Sequence, residues 1–507
     1  MPTNPLRRRA GEAAALLSGV ALPLAFSPFD LYPLAILLPA VLFALWRRVS
    51  PGRAFVRGGL FGLGAFGVGV SWVFVSMNDY GGMGVPLSVF ITALLVLVLS
   101  VFPALAGYAA VRLCGPAANR LGWVLVVAAV WTLFEWMRGR FLSGFPWLNL
   151  GYSQIDAPLA GFAPLLGVYG VSLLAALSAA CLVAGVGSRG TVRGVWLTAL
   201  VILWLAGAGL RHIDWTHPAG NALRVSLVQG NLPQDLKWEP GVRDLTAELY
   251  MNLTRAHWDS RLIVWPETAM PMYYLQARPY LDVLADEARR HDSGVLAGLV
   301  YLDTQTSRYY NTMVAIDGRE QFYHKYHLVP FTEYLPFKPV LGRFIDSLDI
   351  PMSDFSPGDR FQRPLEVAGQ KIGMSICYED AFGEEFIRQL PEATLLVNVS
   401  NDAWFGRSLA PQQHLQIARM RALETGRYLV RSTNTGMTAV IEPNGRLKSV
   451  APQFERTVLT DTVEPRQGST PYIVLGNWTV LVAVGAMLVV GWLMRRRGEA
   501  ASALTRA

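Results

Sequence analysis

The sequence predicts a polytopic α-helical membrane domain of eight spans joined to a water-exposed α/β domain, on the strength of three features. Charged residues are sparse between Gly11 and Leu210 and dense between Arg224 and Glu464. Over all 507 residues only 16% are charged and 52% are hydrophobic, against about 25% charged in an average soluble protein. The sparse part contains apolar runs of roughly 20 residues, the length that crosses a bilayer. The dense part alternates strand-like with helix-like runs, the pattern of layered α/β folds.

Candidate spans lie near 11–28, 31–47, 56–77, 85–113, 121–138, 160–187, 193–210 and 472–494. The turn "SPFDLYP" splits the first two, and the glycines of "GGLFGLGAFGVGV" in the third suit close helix packing. No small-residue cleavage site closes the first run, which is therefore read as a span and not as a signal peptide. Arginines gather at alternate ends of the spans: Arg7 to Arg9, Arg47 to Arg57, Arg120, Arg189 and Arg193, then Arg495 to Arg497. The intervening loops hold chiefly Arg138 and Arg140. Cations collect on the cytoplasmic side, so both termini are expected inside and residues 212–470 outside. The expected division is 1–211 with seven spans, 212–470 as the outer domain, and 471–507 with the eighth span and a cytoplasmic tail. The net charge of +7 is accounted for by these flanking arginines and implies no nucleic-acid partner.

In the outer domain the strand-like runs are "LRVSLVQGN", "LIVWPETA", "GVLAGLVYLD", "YYNTMVAID", "KIGMSICYED", "ATLLVNVSND" and "MTAVIEPNG". Helical periodicity appears between them, as in Tyr280 to Arg290 and Gln412 to Arg427, and Asn444-Gly445 marks a hairpin turn. Of three cysteines, Cys114 and Cys181 lie in the apolar half, which leaves Cys377 without a disulfide partner in its own domain. Such a thiol is either a small buried hydrophobe or a nucleophile. Three runs carry polar residues that their strands do not need: "VWPETAMP" with Glu267, "YHKYHLVPFTEYLPF" with Lys325 and Glu333, and "SICYED" with Cys377. The first and third follow apolar strands, and α/β sheets place reactive groups at strand ends.

A nucleophilic thiol needs a base; the candidates are Glu267, His324, His327, His414 and Glu379. His414, in "PQQHLQIARMRALE", reads as a helix-face histidine, and His324 and His327 flank Lys325 and order its loop. Neither CxxC nor HExxH occurs, so no metal is expected. In the glutamate solution a carboxylate takes the thiol proton while an ammonium stabilises the thiolate and then an oxyanion. The bland alternative makes Glu267 and Lys325 an ordinary surface ion pair.

The order Glu267, Lys325, Cys377 resembles the carbon–nitrogen hydrolase (nitrilase) superfamily. With "FEWMRGRFLSGFPWLNLGY", "QGNLPQDLKW", "VNVSNDAWFG" and "RSTNTGMTAVI", nearly the whole chain is similar to its integral-membrane branch, the apolipoprotein N-acyltransferase family. The resemblance implies an αββα sandwich and a Glu–Lys–Cys triad: Glu267 as general base, Lys325 as oxyanion stabiliser, Cys377 as nucleophile. Glu333 would orient Lys325, and Tyr378 would offer a backbone N–H to the oxyanion. Glu379 and Trp238 would shape the pocket, and Trp147 would belong to a lipid-facing mouth. The implied reaction moves an acyl chain from a membrane phospholipid, through a cysteine thioester, to the α-amine of the diacylglyceryl-cysteine of an apolipoprotein. No cofactor is implied, and the implied place is the bacterial inner membrane with the catalytic domain on its periplasmic side. Two other readings stay open: a membrane-tethered amidase or nitrilase, and a transporter with an inert thiol.

Overall fold

The computed structural model describes residues 5–115, 119–234, 237, 239–335 and 354–504. The chain forms two compact units, one of Met1–Phe74, Val85–Ile213 and Leu475–Ala507, the other of Val75–Gly84 and Asp214–Val474.

The first unit is helical, and each predicted span falls on a helix. Among the described residues five helices are long and apolar enough to cross a membrane: Val85–Cys114, Arg120–Arg138, Pro158–Val186, Gly190–Leu210 and Trp478–Ala500. Pro51–Gly69 and Trp72–Tyr80, bent by 46° at the break between them, pass the same test only as a pair, as a broken span or a re-entrant loop would. The other two helices fall short of the eight-span expectation for physical reasons. Pro5–Ala21 carries Arg7, Arg8, Arg9 and Glu12 in its first turns. Leu34–Trp46 has 13 residues, about 20 Å at 1.5 Å each, against a hydrocarbon core of about 30 Å. The glycines of the third segment do serve close packing. A methyl group at Gly58 would overlap the Pro103 carbonyl, and one at Gly64 the Leu16 carbonyl.

In the second unit the strands are β1 His217–Pro218, β2 Leu223–Gln229, β3 Leu262–Val264, β4 Gly294–Asp303, β5 Arg308–Asp317, β6 Arg319–His324, β7 Leu365–Val367, β8 Gln370–Ile376, β9 Leu395–Ser400, β10 Leu429–Thr433, β11 Ala439–Ile441, β12 Leu447–Val450, β13 Thr457–Val463 and β14 Arg466–Gln467. Twelve of them form two six-stranded sheets, β13-β2-β3-β4-β5-β6 and β12-β11-β10-β9-β8-β7, and β1 pairs with β14. Each sheet has three parallel strands at its centre, β2-β3-β4 and β8-β9-β10, with antiparallel neighbours outside.

The sheets pack face to face through alternate residues, the period of two that a strand imposes. Val225, Leu227, Val264 and Leu296 of one sheet share a buried cluster with Met374, Ile376, Val397 and Val430 of the other. Outward residues Val228, Ile263 and Val295 bury Tyr250 of helix Pro240–Arg255 and Leu281 and Leu284 of helix Tyr274–Arg290. On the far side Leu396 and Leu429 meet Leu415, Ala418 and Ala422 of helix Ala410–Thr425. The result is a four-layer α-β-β-α sandwich. Its central strands are covered on both faces, which is why they are mostly apolar.

Candidate active site

Polar residues come shortly after strands at three places, two of them, β3 and β8, mostly buried. β3 passes into Trp265, Pro266 and Glu267; β6 is followed by Lys325; β8 is followed by Cys377. Glu267, Lys325 and Glu333 are all buried, Lys325 to 1% exposure. The Lys325 ammonium lies 2.9 Å from Glu333 Oε2, donates to Glu333 Oε1 at 3.0 Å, and stands 3.5 Å from Glu267 Oε1. Burial alone would lower the pKa of Lys325, but Glu333, Glu267 and then Cys377 outweigh it and hold the proton on.

The two carboxylates are themselves fixed. Asn311, in β5, donates to Glu267 Oε1 at 2.7 Å and to Glu333 Oε1 at 3.1 Å. The Asn401 N–H reaches Glu267 Oε2 at 2.8 Å, and the Val329 N–H reaches Glu333 Oε2 at 2.8 Å. Charge-assisted bonds of this kind are stronger than neutral ones, so each carboxylate has one orientation. Lys237, buried beside the same segment, donates to the Glu267 carbonyl at 3.4 Å, and burial lowers its pKa to about 8.

Cys377 is partly buried and has φ 54°, the left-handed region, at the first residue of a short 3₁₀ turn, Cys377–Ala381. A non-glycine residue stays there only when its surroundings over-determine it, as happens at functional sites. Desolvation and the Glu267 charge push its thiol above the usual range, while Lys325 pulls it down. Together these shifts favour a neutral thiol beside a charged ammonium.

Glu379 braces the loops on either side. Its Oε1 accepts from the Tyr326 and His327 N–H groups at 2.7 and 3.1 Å, just after Lys325. Its Oε2 accepts from the Ile376 N–H at 2.7 Å, just before Cys377, and from the Tyr323 hydroxyl at 3.0 Å. Burial pushes its carboxyl up to about 7 against the pull of these donors. Each oxygen faces a backbone N–H, so neither orientation of an amide fits. Glu379→Gln is therefore expected to cost about 1–3 kcal/mol of stability, the penalty of an unsatisfied buried donor, measurable by denaturant unfolding in detergent.

The remaining residues singled out from the sequence fall as follows. The Tyr378 ring packs edge-on against Phe382 at 5.1 Å, and His327 stacks on Phe382 at 3.6 Å. His414 is turned to the Cys377 carbonyl, with Nε2 at 3.3 Å, and to Asp380 at 2.9 Å. Trp147, expected in a lipid-facing mouth, is instead 2% exposed and packs on Trp72 at 5.3 Å and Phe145 at 6.1 Å. Its loop is folded onto helix Arg120–Arg138. Arg138 donates to the Phe145 and Trp147 carbonyls at 2.8 and 2.5 Å, and Glu135 accepts from the Leu150 N–H at 3.1 Å. Trp238 lies outside the described residues. Asn311, Asn401 and Arg431 escaped the sequence reading. Their one signal was a polar side chain set within or directly after an apolar strand, in "YYNTMVAID", "VNVSND" and "LVRST".

The double-sheet unit is that of a carbon–nitrogen hydrolase: residues 224–472 match the family described as Carbon-nitrogen hydrolase. Residues 18–181 match a second family, the Apolipoprotein N-acyltransferase N-terminal domain. Three relatives named apolipoprotein N-acyltransferase align along almost their whole length. The protein of Methylococcus capsulatus is 48% identical over 95% of this chain and 96% of its own. That of Nitrosomonas europaea is 49% identical, covering 96% and 98%, and that of Coxiella burnetii 41% identical, covering 94% and 98%. The chain belongs to the apolipoprotein N-acyltransferase family. With its apolar helices, it is a multi-pass membrane protein.

Proposed function

We propose that this protein transfers an acyl chain from a membrane phospholipid to the free α-amine of the N-terminal diacylglyceryl-cysteine of an apolipoprotein, through a thioester on Cys377. The observation that carries this reading is the convergence of Glu267, after β3, and Lys325, after β6, in electrostatic reach of Cys377, after β8, with Glu333 paired to Lys325. Glu267 takes the thiol proton as sulfur attacks the ester carbonyl carbon. Lys325 and the Tyr378 N–H meet the oxyanion. Collapse breaks the ester C–O bond, and the lysophospholipid leaves with the proton held by Glu267. In the second half the α-amine attacks the thioester, Glu267 takes a proton from nitrogen, and the thiolate leaves and recovers that proton. The steps balance without cofactor or metal. Glu333 keeps Lys325 in place throughout.

Both substrates carry acyl chains, and moving such a chain into water costs about 0.8 kcal/mol per CH₂. A chain that carries its thiol on a membrane-crossing scaffold lets the acyl groups stay in lipid. The same reading has both termini in the cytoplasm and residues 212–470 on the periplasmic side of the bacterial inner membrane. The arginine placement supports it. A single cysteine introduced at the exposed hairpin residue Ser307, in a cysteine-free background, is expected to react with a membrane-impermeant thiol reagent in intact spheroplasts. Labelling only after lysis would sink that topology. The reaction itself is tested by mass spectrometry of Cys377 after exposure to phospholipid.

A further inference from the structure

Beneath the Cys377 thiol, two side chains reach the carbonyl of the same residue: Asn398 Nδ2 and His414 Nε2, each at 3.3 Å. Ser375, Asn398 and Arg431 are register neighbours across the parallel strands β8, β9 and β10. Asn398 Nδ2 also donates to Ser375 Oγ at 2.9 Å, and its Oδ1 accepts from Arg431 Nη1. Arg431 bridges Asp380 at 3.2 Å and Asp402 at 3.1 Å, and its Nη2 lies 2.7 Å from His414 Nδ1. Asn398, Arg431, Asp380, Asp402 and His414 are all at most 1% exposed. Burying two carboxylates, a guanidinium and an imidazole is costly, and apolar packing of similar volume is often at least as stable. The network is better explained by what it holds, and what it holds is the backbone of the nucleophile.

We propose that Asn398, backed by Arg431, and His414 are positioning residues that set the plane of the Cys377–Tyr378 peptide and so aim the Tyr378 N–H at the substrate carbonyl oxygen. The proposal deepens the function given above and rests on its oxyanion step. A trans peptide is planar, with its N–H directed opposite to its C=O. Holding the carbonyl from below therefore holds the N–H on the other side. The restraint is needed here because Cys377 sits at φ 54°, a conformation that relaxes, and turns the peptide, unless neighbours fix it.

Acylation and alkylation of the same thiol separate this role from a merely structural one. Attack on an ester passes through an oxyanion, whereas displacement of iodide from iodoacetamide occurs at a saturated carbon and forms none. Asn398→Asp keeps an acceptor for Arg431 and loses the Nδ2 donor to the Cys377 carbonyl, while Ser375 Oγ, which Nδ2 also bonds, can donate its hydroxyl to the new carboxylate instead. It is expected to slow acyl-adduct formation from phosphatidylethanolamine vesicles about 10²-fold, the scale of one oxyanion donor, with iodoacetamide alkylation of Cys377 within about twofold of wild type. Equal losses in both rates would overturn the proposal, because the nucleophile itself would have moved. Unchanged acylation would overturn it as well. Should three carboxylates around one guanidinium prevent folding, Asn398→Ala carries the same comparison. A wild-type protein that is alkylated but never acylated would remove the thioester step itself, a result distinct from an unaffected variant.

Discussion

Wild-type protein given phospholipid and no acceptor is expected to gain the mass of one acyl chain on Cys377. The expectation follows from the site's chemistry. In the proposed reaction a thiol pushed up in pKa beside a buried ammonium becomes a nucleophile as its proton passes to Glu267, and the thioester so formed would keep the acyl group activated for a second nucleophile. The mass of the adduct should follow the chain of the donor, and neutral hydroxylamine should discharge it. A diacylglyceryl-peptide with a free α-amine should also discharge it, the acyl group reappearing as an amide on that peptide. An N-acetylated acceptor should leave the adduct in place, since its nitrogen is no longer nucleophilic. Steady release of free fatty acid with neither adduct nor amide would mean that water is the acceptor, and the protein would then be a hydrolase. A folded protein that yields neither adduct nor product would favour an inert thiol.

The two halves of the chain differed in how much their sequence revealed. Helix positions were legible because apolar runs broken by turn residues are a local signal. Span number was less so: the run near 31–47 reads as long enough, yet its helix begins only at Leu34, after Pro33, and ends at Trp46. The polar groups after β3 and β8 were legible because each stands against an apolar strand within a few residues, whereas Lys325 follows the polar strand β6 and was singled out with its flanking run. The groups that orient them were not. Asn311 comes from the middle of β5 and Asn401 from the end of β9, and nothing local says that both turn to Glu267. Asp380, Asp402, His414 and Arg431 meet only after β8, β9, β10 and a helix are assembled. Trp147 shows the converse. An aromatic-rich loop has the same composition whether it faces lipid or folds on its own helix, and backbone bonds from Glu135 and Arg138 decide for the second.

Glu267→Gln, Lys325→Ala and Cys377→Ala are each expected to bring transfer close to zero, with the losses failing to add. Loss of the thiol removes the bond-forming atom and should leave no adduct at all. Loss of the Lys325 ammonium removes an oxyanion donor, worth about 10²–10³ in rate. It also leaves Glu267 and Glu333 without the cation at 3.5 and 2.9 Å that offsets their charges. Stability should therefore fall along with rate. Breaking a buried pair typically costs about 3–5 kcal/mol, so Lys325→Met, closer in volume, belongs beside Lys325→Ala as a control for packing. Glu267→Gln keeps the volume and an acceptor for one of its two donors, Asn311 and the Asn401 N–H. It removes the base and leaves one buried donor facing an amide N–H, so adduct formation should fall close to zero alongside a stability loss of about 1–3 kcal/mol. Because the three groups act on one transition state, double substitutions should cost little beyond the worse single one. The outcome that would displace this triad is a mild Glu267→Gln together with a His414→Ala as damaging as Cys377→Ala in both acylation and alkylation. That pattern would make His414 the base, even though its ring faces the Cys377 carbonyl in this structure.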